Sequence, residues 1–297
     1  MKAAVLGVNG YLGQHVALDL LQRGWQVGGY GSGAAPGLPG LEYTRMDLRN
    51  KEELQQLDPG VDVLFYFAGL TGTARAYDEY EHYIDVNEKG LLHVLDRMRQ
   101  SHQRARIVFP STRLVYKGVK NTPLAEDAGK EWKTIYALNK WFGENAVRQY
   151  GDYFDLPYTI FRICVPYGDL IGRPSSYGTV GFFLKRAVEG NNISLYGTGD
   201  QQRSFTHVGD LCDQIYRTLQ KPESVNGTFN IAGETYSLRQ IADAVARKYS
   251  VGVDLVEWPT LDRKLESGDT IFDSARIEKL IGPPLKNNFM SWLETIA

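Results

Sequence analysis

Apolar and polar positions alternate in blocks along the first 165 residues, and each block reads as a short strand or an amphipathic helix. Ala3, Ala4, Val5 and Leu6 form an apolar run of strand length, and Val16, Leu20 and Leu21 follow at helical spacing. Trp25 to Tyr30 predicts a second strand and Glu42 to Met46 a third. The unbroken run Val61 to Ala68, VDVLFYFA, predicts a strand covered on both faces. A long helix is expected over Tyr80 to Arg99, with Ile84, Leu91, Leu92, Leu95 and Met98 turned inward. Ala105 to Phe109 predicts a strand, Trp132 to Tyr150 a helix, and Tyr158 to Val165 a further strand. Such alternation predicts an α/β fold with a doubly wound parallel sheet, its ligand lying beyond the carboxyl ends of the strands.

After Pro166 the texture changes. Gly, Pro, Ser and Tyr are dense through Tyr177, helices are expected over Thr179 to Glu189, Val208 to Leu219 and Leu238 to Tyr249, and a turn over Gly197 to Gly199. Residues 1–165 therefore read as one domain. Residues 166–297 read mainly as a smaller, less regular C-terminal lobe, with some segments returning to the first domain.

Composition narrows the functional classes. A net charge of −2 over 297 residues gives no electrostatic reason to expect nucleic acid or an anionic membrane as partner. Cys164 and Cys212 stand far apart without metal-ligand spacing, so neither a disulfide framework nor a metal site is expected. The chain opens on a core strand and has no apolar stretch of membrane-spanning length, which predicts a soluble cytoplasmic protein.

Two constellations carry chemistry. Gly7, Gly10 and Gly13 stand between the first strand and the first helix. There the backbone of Gly7, Asn9, Gly10, Tyr11, Leu12 and Gly13 would cradle a dinucleotide pyrophosphate at a helix N-terminus. The competing reading is an ordinary glycine turn. Tyr136 and Lys140, at i and i+4, share one helix face, where an ammonium stabilises a phenolate and lets the Tyr exchange a proton with an alcohol. Tyr116 and Lys120 repeat the spacing but enclose Gly118 directly after a strand, and are read as a decoy. Asn87, a poor helix former set mid-helix, is expected to hydrogen-bond across to the sheet, with a purely structural role as the alternative.

In order and spacing, the glycine turn, Asp47-Leu48, Phe67-Ala68-Gly69, Asp85-Val86-Asn87, Ser111-Thr112 through Val115-Tyr116, Tyr136 and Lys140, Arg162 through Pro166-Tyr167-Gly168, and Arg203 through Val208 run over nearly the whole chain. Together they resemble an extended short-chain dehydrogenase/reductase of the nucleotide-sugar epimerase/dehydratase superfamily. The resemblance implies a Rossmann-type sheet with a smaller C-terminal substrate-binding lobe and catalysis by Thr112, Tyr136 and Lys140. Thr112 and Tyr136 would meet the reacting oxygen of the substrate, and Lys140 would also hold the nicotinamide ribose. It implies cofactor contacts from Ser32, Asp47, Leu48, Phe67, Ala68, Gly69 and Asn87. Arg203 would clamp a diphosphate, and a homodimer would form through the helices predicted over Tyr80 to Arg99 and Trp132 to Tyr150.

Three positions depart from that pattern. Arg113 and Leu114 replace the Asp-Glu pair of the dehydratases, which removes the acid and base that elimination of water needs. Leu114 also stands where the 3,5-epimerising relatives place a Cys. Gly31 and Ser32 stand where NAD-specific members carry an acid, which favours NADP over NAD. Val165 replaces an Asn that touches substrate in many members. The expected activity is oxidoreduction at carbon 4 of a nucleotide-activated hexose, first as an NAD(P)H-dependent reductase of a 4-keto-6-deoxy sugar, with a 4-epimerase retaining NAD as the alternative. A non-catalytic cofactor-sensing regulator is a third reading, opposed by the presence of both Tyr136 and Lys140.

Overall fold

The computed structural model describes residues 1–101, 103–172 and 176–296. Of the Gly- and Pro-rich stretch before Tyr177, residues 173–175 lie outside the described residues. The chain divides into two compact units: Met1–Val115, Thr134–Arg162 and Leu219–Phe229 form the first, and Tyr116–Lys133, Ile163–Thr218 and Asn230–Ala297 the second. Neither is one continuous stretch.

The first unit is built on seven strands: β1 Lys2–Leu6, β2 Gln26–Gly31, β3 Glu42–Arg45, β4 Val63–Tyr66, β5 Arg106–Thr112, β6 Tyr158–Ile163 and β7 Gly227–Asn230. Their order in the sheet is β7-β6-β5-β4-β1-β2-β3, and the pairs from β3 across to β5 are parallel. Leu6 stands opposite both Tyr30 and Tyr66, so three central strands end at one level and the chain leaves them there. Phe65 pairs with Val108, so β5 runs on past that level and carries Thr112 beyond it. Arg106 ties the far edge together, donating to Thr159 Oγ1 and Ser224 Oγ and to the Leu219 carbonyl.

One face of this sheet is covered by α2, Gly90–Gln100, and α3, Ile135–Phe154, after α1, Tyr11–Gln22, has linked β1 to β2. Leu91, Val94, Leu95 and Met98 of α2 and Ala146 and Val147 of α3 join Leu6, Leu64, Tyr66, Ile107 and Phe109 in one apolar core. The long helix expected over Tyr80 to Arg99 is interrupted. Tyr80–Ile84 is α-helical, Asp85–Lys89 is a wide π-type turn, and α-helix resumes at Gly90. The extra residue in that turn rotates the preceding segment, so Tyr83 and Asn87 are buried, while Ile84, expected inside, is only half-buried. Helix α3 begins three residues after the predicted start, where the Thr134 hydroxyl accepts from Ala137 N at 3.0 Å and caps it.

The second unit holds a three-stranded sheet in which Gln202–His207 pairs in parallel with Val165–Tyr167 and antiparallel with Glu234–Ser237. Helices Gly178–Val188 and Leu238–Tyr249 pack with it around Val180, Phe183, Phe205, Ile241, Val245 and Phe289. Among the described residues no helix is long and apolar enough to cross a membrane.

Candidate active site

The residues following β1, β2 and β4 line a cavity of about 300 Å³ that includes Gly7, Asn9, Gly10, Gly31, Ser32, Asp47, Leu48, Phe67, Ala68 and Gly69. Gly10, at the N-terminus of α1, is part of that lining. It is the residue before the helix, so the positive end of the helix dipole lies at the glycine turn, which suits it to an anion. Gly13 brings helix and turn together, for a Cβ there would stand 2.3 Å from the Gly7 carbonyl oxygen. The Gln14 side chain donates to Asn9 O at 2.7 Å and holds the turn from behind.

Along the wall, Asp47 pairs with Arg49, whose Nε lies 3.0 and 3.1 Å from the two carboxylate oxygens. The hydrogen bonds from Arg49 hold the Asp47 carboxyl below the usual carboxylate range. The loop after β4 is pinned by Asn87. Its Oδ1 accepts from Leu70 N at 2.7 Å, and its Nδ2 donates to Leu70 O at 3.0 Å and to Asn139 Oδ1 at 3.2 Å. Asn139 in turn donates to Glu88 at 2.6 Å. Asn87 therefore shapes the cavity by fixing the Gly69-Leu70 backbone, and the π-type turn is what aims it there.

Thr112 closes β5, buried, with its hydroxyl accepting from Leu114 N at 3.3 Å. Tyr136 lies in the first turn of α3, half-buried, and Lys140 one turn further on is buried. The Lys140 ammonium donates to Pro110 O at 2.9 Å and stands 6.0 Å from the centre of the Tyr136 ring and 4.9 Å from that of Phe109. Helix and strand come this close because α3 presents Gly143 to the Phe109 ring, where a Cβ would be 2.3 Å from the nearest ring carbon. Burial pushes the Lys140 ammonium down to about 8, and the Glu144 carboxylate pulls partly against it. A phenolate at Tyr136 gains from Lys140 only while Lys140 is charged. kcat/KM is therefore expected to fall as pH rises through about 8, measured across the alkaline range at saturating cofactor.

Behind Lys140 lies a charge cluster that sequence reading missed. Glu144 is fully buried and accepts from Arg162 Nε at 2.8 Å and Nη2 at 2.7 Å, and from Arg148 at 2.7 Å. Burial alone would raise its carboxyl, but the hydrogen bonds and charge of Arg162, aided by Arg148, outweigh that and hold it low. Ser111, whose buried hydroxyl makes no well-formed hydrogen bond, is close enough to add to the effect. The signal was present as Lys140, Glu144 and Arg148 at successive intervals of four.

The decoy Tyr116 and the expected diphosphate ligand Arg203 both lie in the second unit. Tyr116 is fully buried and donates to Asn230 Oδ1 at 2.7 Å, a structural bond. Arg203 is 1% exposed and already engaged: it donates to Gln202 O at 2.8 Å and to Gly268 O and Glu266 Oε1 at 2.5 Å each. A buried guanidinium requires a counter-ion, and Glu266 supplies it, so a diphosphate reaches Arg203 only by displacing that carboxylate.

Residues 3–232 match the family model described as the NAD dependent epimerase/dehydratase family. The chain belongs to that family. A Bacillus subtilis (strain 168) protein described as an uncharacterized UDP-glucose epimerase is 28% identical over 250 residues, covering 78% of this chain and 77% of its own. The UDP-N-acetyl-alpha-D-glucosaminuronate decarboxylase of Bacillus cytotoxicus is 26% identical over 262 residues, covering 82% and 79%. Among solved structures, the Thermus thermophilus UDP-glucose 4-epimerase complexed with NAD superposes with a TM-score of 0.88 at 24% identity, over all of this chain and 97% of that one. That likeness extends to the whole fold, and the family's name agrees with the dinucleotide geometry of the glycine turn.

Proposed function

We propose that this chain carries out oxidoreduction at carbon 4 of a nucleotide-linked hexose, running as an NADPH-dependent reductase of a 4-keto-6-deoxy sugar. A dinucleotide, held when bound by the backbone of Gly7, Asn9 and Gly10, would supply the hydride. Tyr136 delivers its phenolic proton to the oxygen that reduction leaves negative, the Thr112 hydroxyl hydrogen-bonds the same oxygen, and Lys140, anchored on Pro110 O, favours the phenolate that remains. Arg113 and Leu114, in the turn after β5, offer no acid and base for dehydration across carbons 5 and 6. Arg203 is the residue that the family resemblance assigns to the nucleotide diphosphate, in competition with Glu266.

The observation that carries the direction is the neutral end of β2. With no carboxylate at Gly31 or Ser32, nothing there repels a 2′-phosphate, which suits the dinucleotide pool that cells keep reduced. A second reading, a 4-epimerase retaining NAD, is favoured by Phe67-Ala68-Gly69-Leu70 and by the epimerase names of relatives. An epimerase returns its hydride to the same substrate and has no need to exchange cofactor. The two separate on purification. The reductase is expected to emerge largely free of nicotinamide and to consume NADPH with a nucleotide-linked 4-keto-6-deoxyhexose. Near-stoichiometric NAD in the mass spectrum of the denatured protein's supernatant would establish the epimerase instead.

A further inference from the structure

In dinucleotide-binding sheets the acid that accepts the adenosine ribose hydroxyls stands at the end of the second strand. Here that strand ends in Gly31, and the place where a side chain would begin is filled. A Cβ on residue 31 would stand 1.8 Å from Asn9 Oδ1 and 2.9 Å from Asn9 Cγ. The Asn9 carboxamide, reaching over from the glycine turn, thus takes the space of the missing acid, and both residues line the cavity. It is held there from two sides. Its Nδ2 donates to Ala34 O at 2.5 Å, and the Tyr43 hydroxyl lies 3.3 Å from its Oδ1, 2.8 Å from Gly31 O and 2.5 Å from Gly33 O. Tyr43 has one proton for those three acceptors, so the group ties the 31–34 loop to Asn9 as a unit. Ser32 is in turn held by Arg45, whose Nε donates to Ser32 O at 3.2 Å. The carboxylate of Asp47, which shares the cavity, is neutralised by Arg49.

Resting on the dinucleotide reading above, we propose that Asn9 is the residue that sets cofactor choice. It stands as a neutral amide in the place of the ribose-binding acid and so admits the 2′-phosphate of NADP. The consequence is a coupling between two positions. Putting an acid at residue 31 cannot by itself convert the site to NAD, because the new side chain collides with Asn9 and breaks its hold on the loop. Changing Asn9 to the nearly isosteric acid places the charge there with the Tyr43 hydrogen bond kept, and gives up only the donation to Ala34 O.

Calorimetric titration of the purified protein with NADP⁺ and NAD⁺ tests this without reference to turnover. Asn9→Asp is expected to weaken NADP⁺ binding by about tenfold or more, roughly 1.4 kcal/mol, with little change for NAD⁺. Gly31→Asp alone is expected to weaken both dinucleotides. Adding Asn9→Gly to it should restore NAD⁺ binding while NADP⁺ stays weak, so the two substitutions are strongly non-additive. Equal losses for both dinucleotides in Asn9→Asp, or a Gly31→Asp protein that binds NAD⁺ well, would overturn the assignment. A wild-type chain that binds NAD⁺ more tightly than NADP⁺ would do the same. A wild-type chain that binds neither removes the dinucleotide reading itself. Thermal melting of each variant separates a failed fold from a changed preference, and the Asn9→Asp and Gly31→Asp arms can each decide the matter alone.

Discussion

Tyr136→Phe is expected to lower turnover by about a hundred- to ten-thousandfold, the usual contribution of a positioned acid–base group. Dinucleotide affinity should stay close to wild type, since the ring remains and only the transferable proton is lost. The separation of the two effects is the informative part. Steady-state rates and a binding titration on the same preparation measure it, and a Tyr136→Phe protein with near wild-type rate would remove Tyr136 from the chemistry. Tyr116→Phe is the matched control. Its lost bond to Asn230 belongs to the second unit, so it should cost stability of about 1 kcal/mol and leave the chemistry in place.

The largest expected effect on stability comes from Glu144. Glu144→Leu leaves the Arg162 guanidinium, 2% exposed, without its carboxylate and should destabilise the protein by about 3–5 kcal/mol, read from denaturant midpoints. Replacing Glu144 and Arg162 together with apolar residues should recover most of that loss, because no uncompensated charge is then left buried. Arg148 is 26% exposed and can be solvated in its place. The pH dependence has a definite sign. Glu144 titrates lower in the folded chain than in the unfolded one, so its contribution is complete above the ordinary carboxyl range. It is lost as pH falls through the lower folded value. A Glu144→Leu protein that unfolds within about 1 kcal/mol of wild type would show that the pair contributes no more than a surface bridge.

The sheet was legible because its signal is local. The run VDVLFYFA marks a covered strand, which the structure confines to Val63–Tyr66, and the glycine turn stands between a strand and a helix as its spacing predicts. Thr112, Tyr136 and Lys140 were singled out by spacing and order, and the structure sets Tyr136 and Lys140 one turn apart on α3, with Lys140 bonded to Pro110 O near the end of β5. What escaped depends on contacts between distant segments. The wide turn at Asp85–Lys89 has no compositional mark, yet it rotates Asn87 onto the loop after β4. The neutral end of β2 could be read from Gly31, but not that the amide of Asn9 fills it, since a gap of 22 residues hides the contact. Arg203 was read as a diphosphate-binding arginine, whereas the partner that the structure gives it, Glu266, lies 63 residues away.

The edge of the first sheet is finished late. β6 ends at Ile163, but the strand that covers it, β7, begins only at Gly227, after the second unit's segment Ile163–Thr218 has been made. On the ribosome, then, six strands are complete while β6 still shows its backbone N–H and C=O groups, the condition under which sheets add strands from other chains. Synthesis stalled between those residues would leave the sheet with an unpaired margin. Chains that stop between Ile163 and Gly227 are therefore expected to give less soluble protein than the full chain, since the four-residue β7 is what covers that edge.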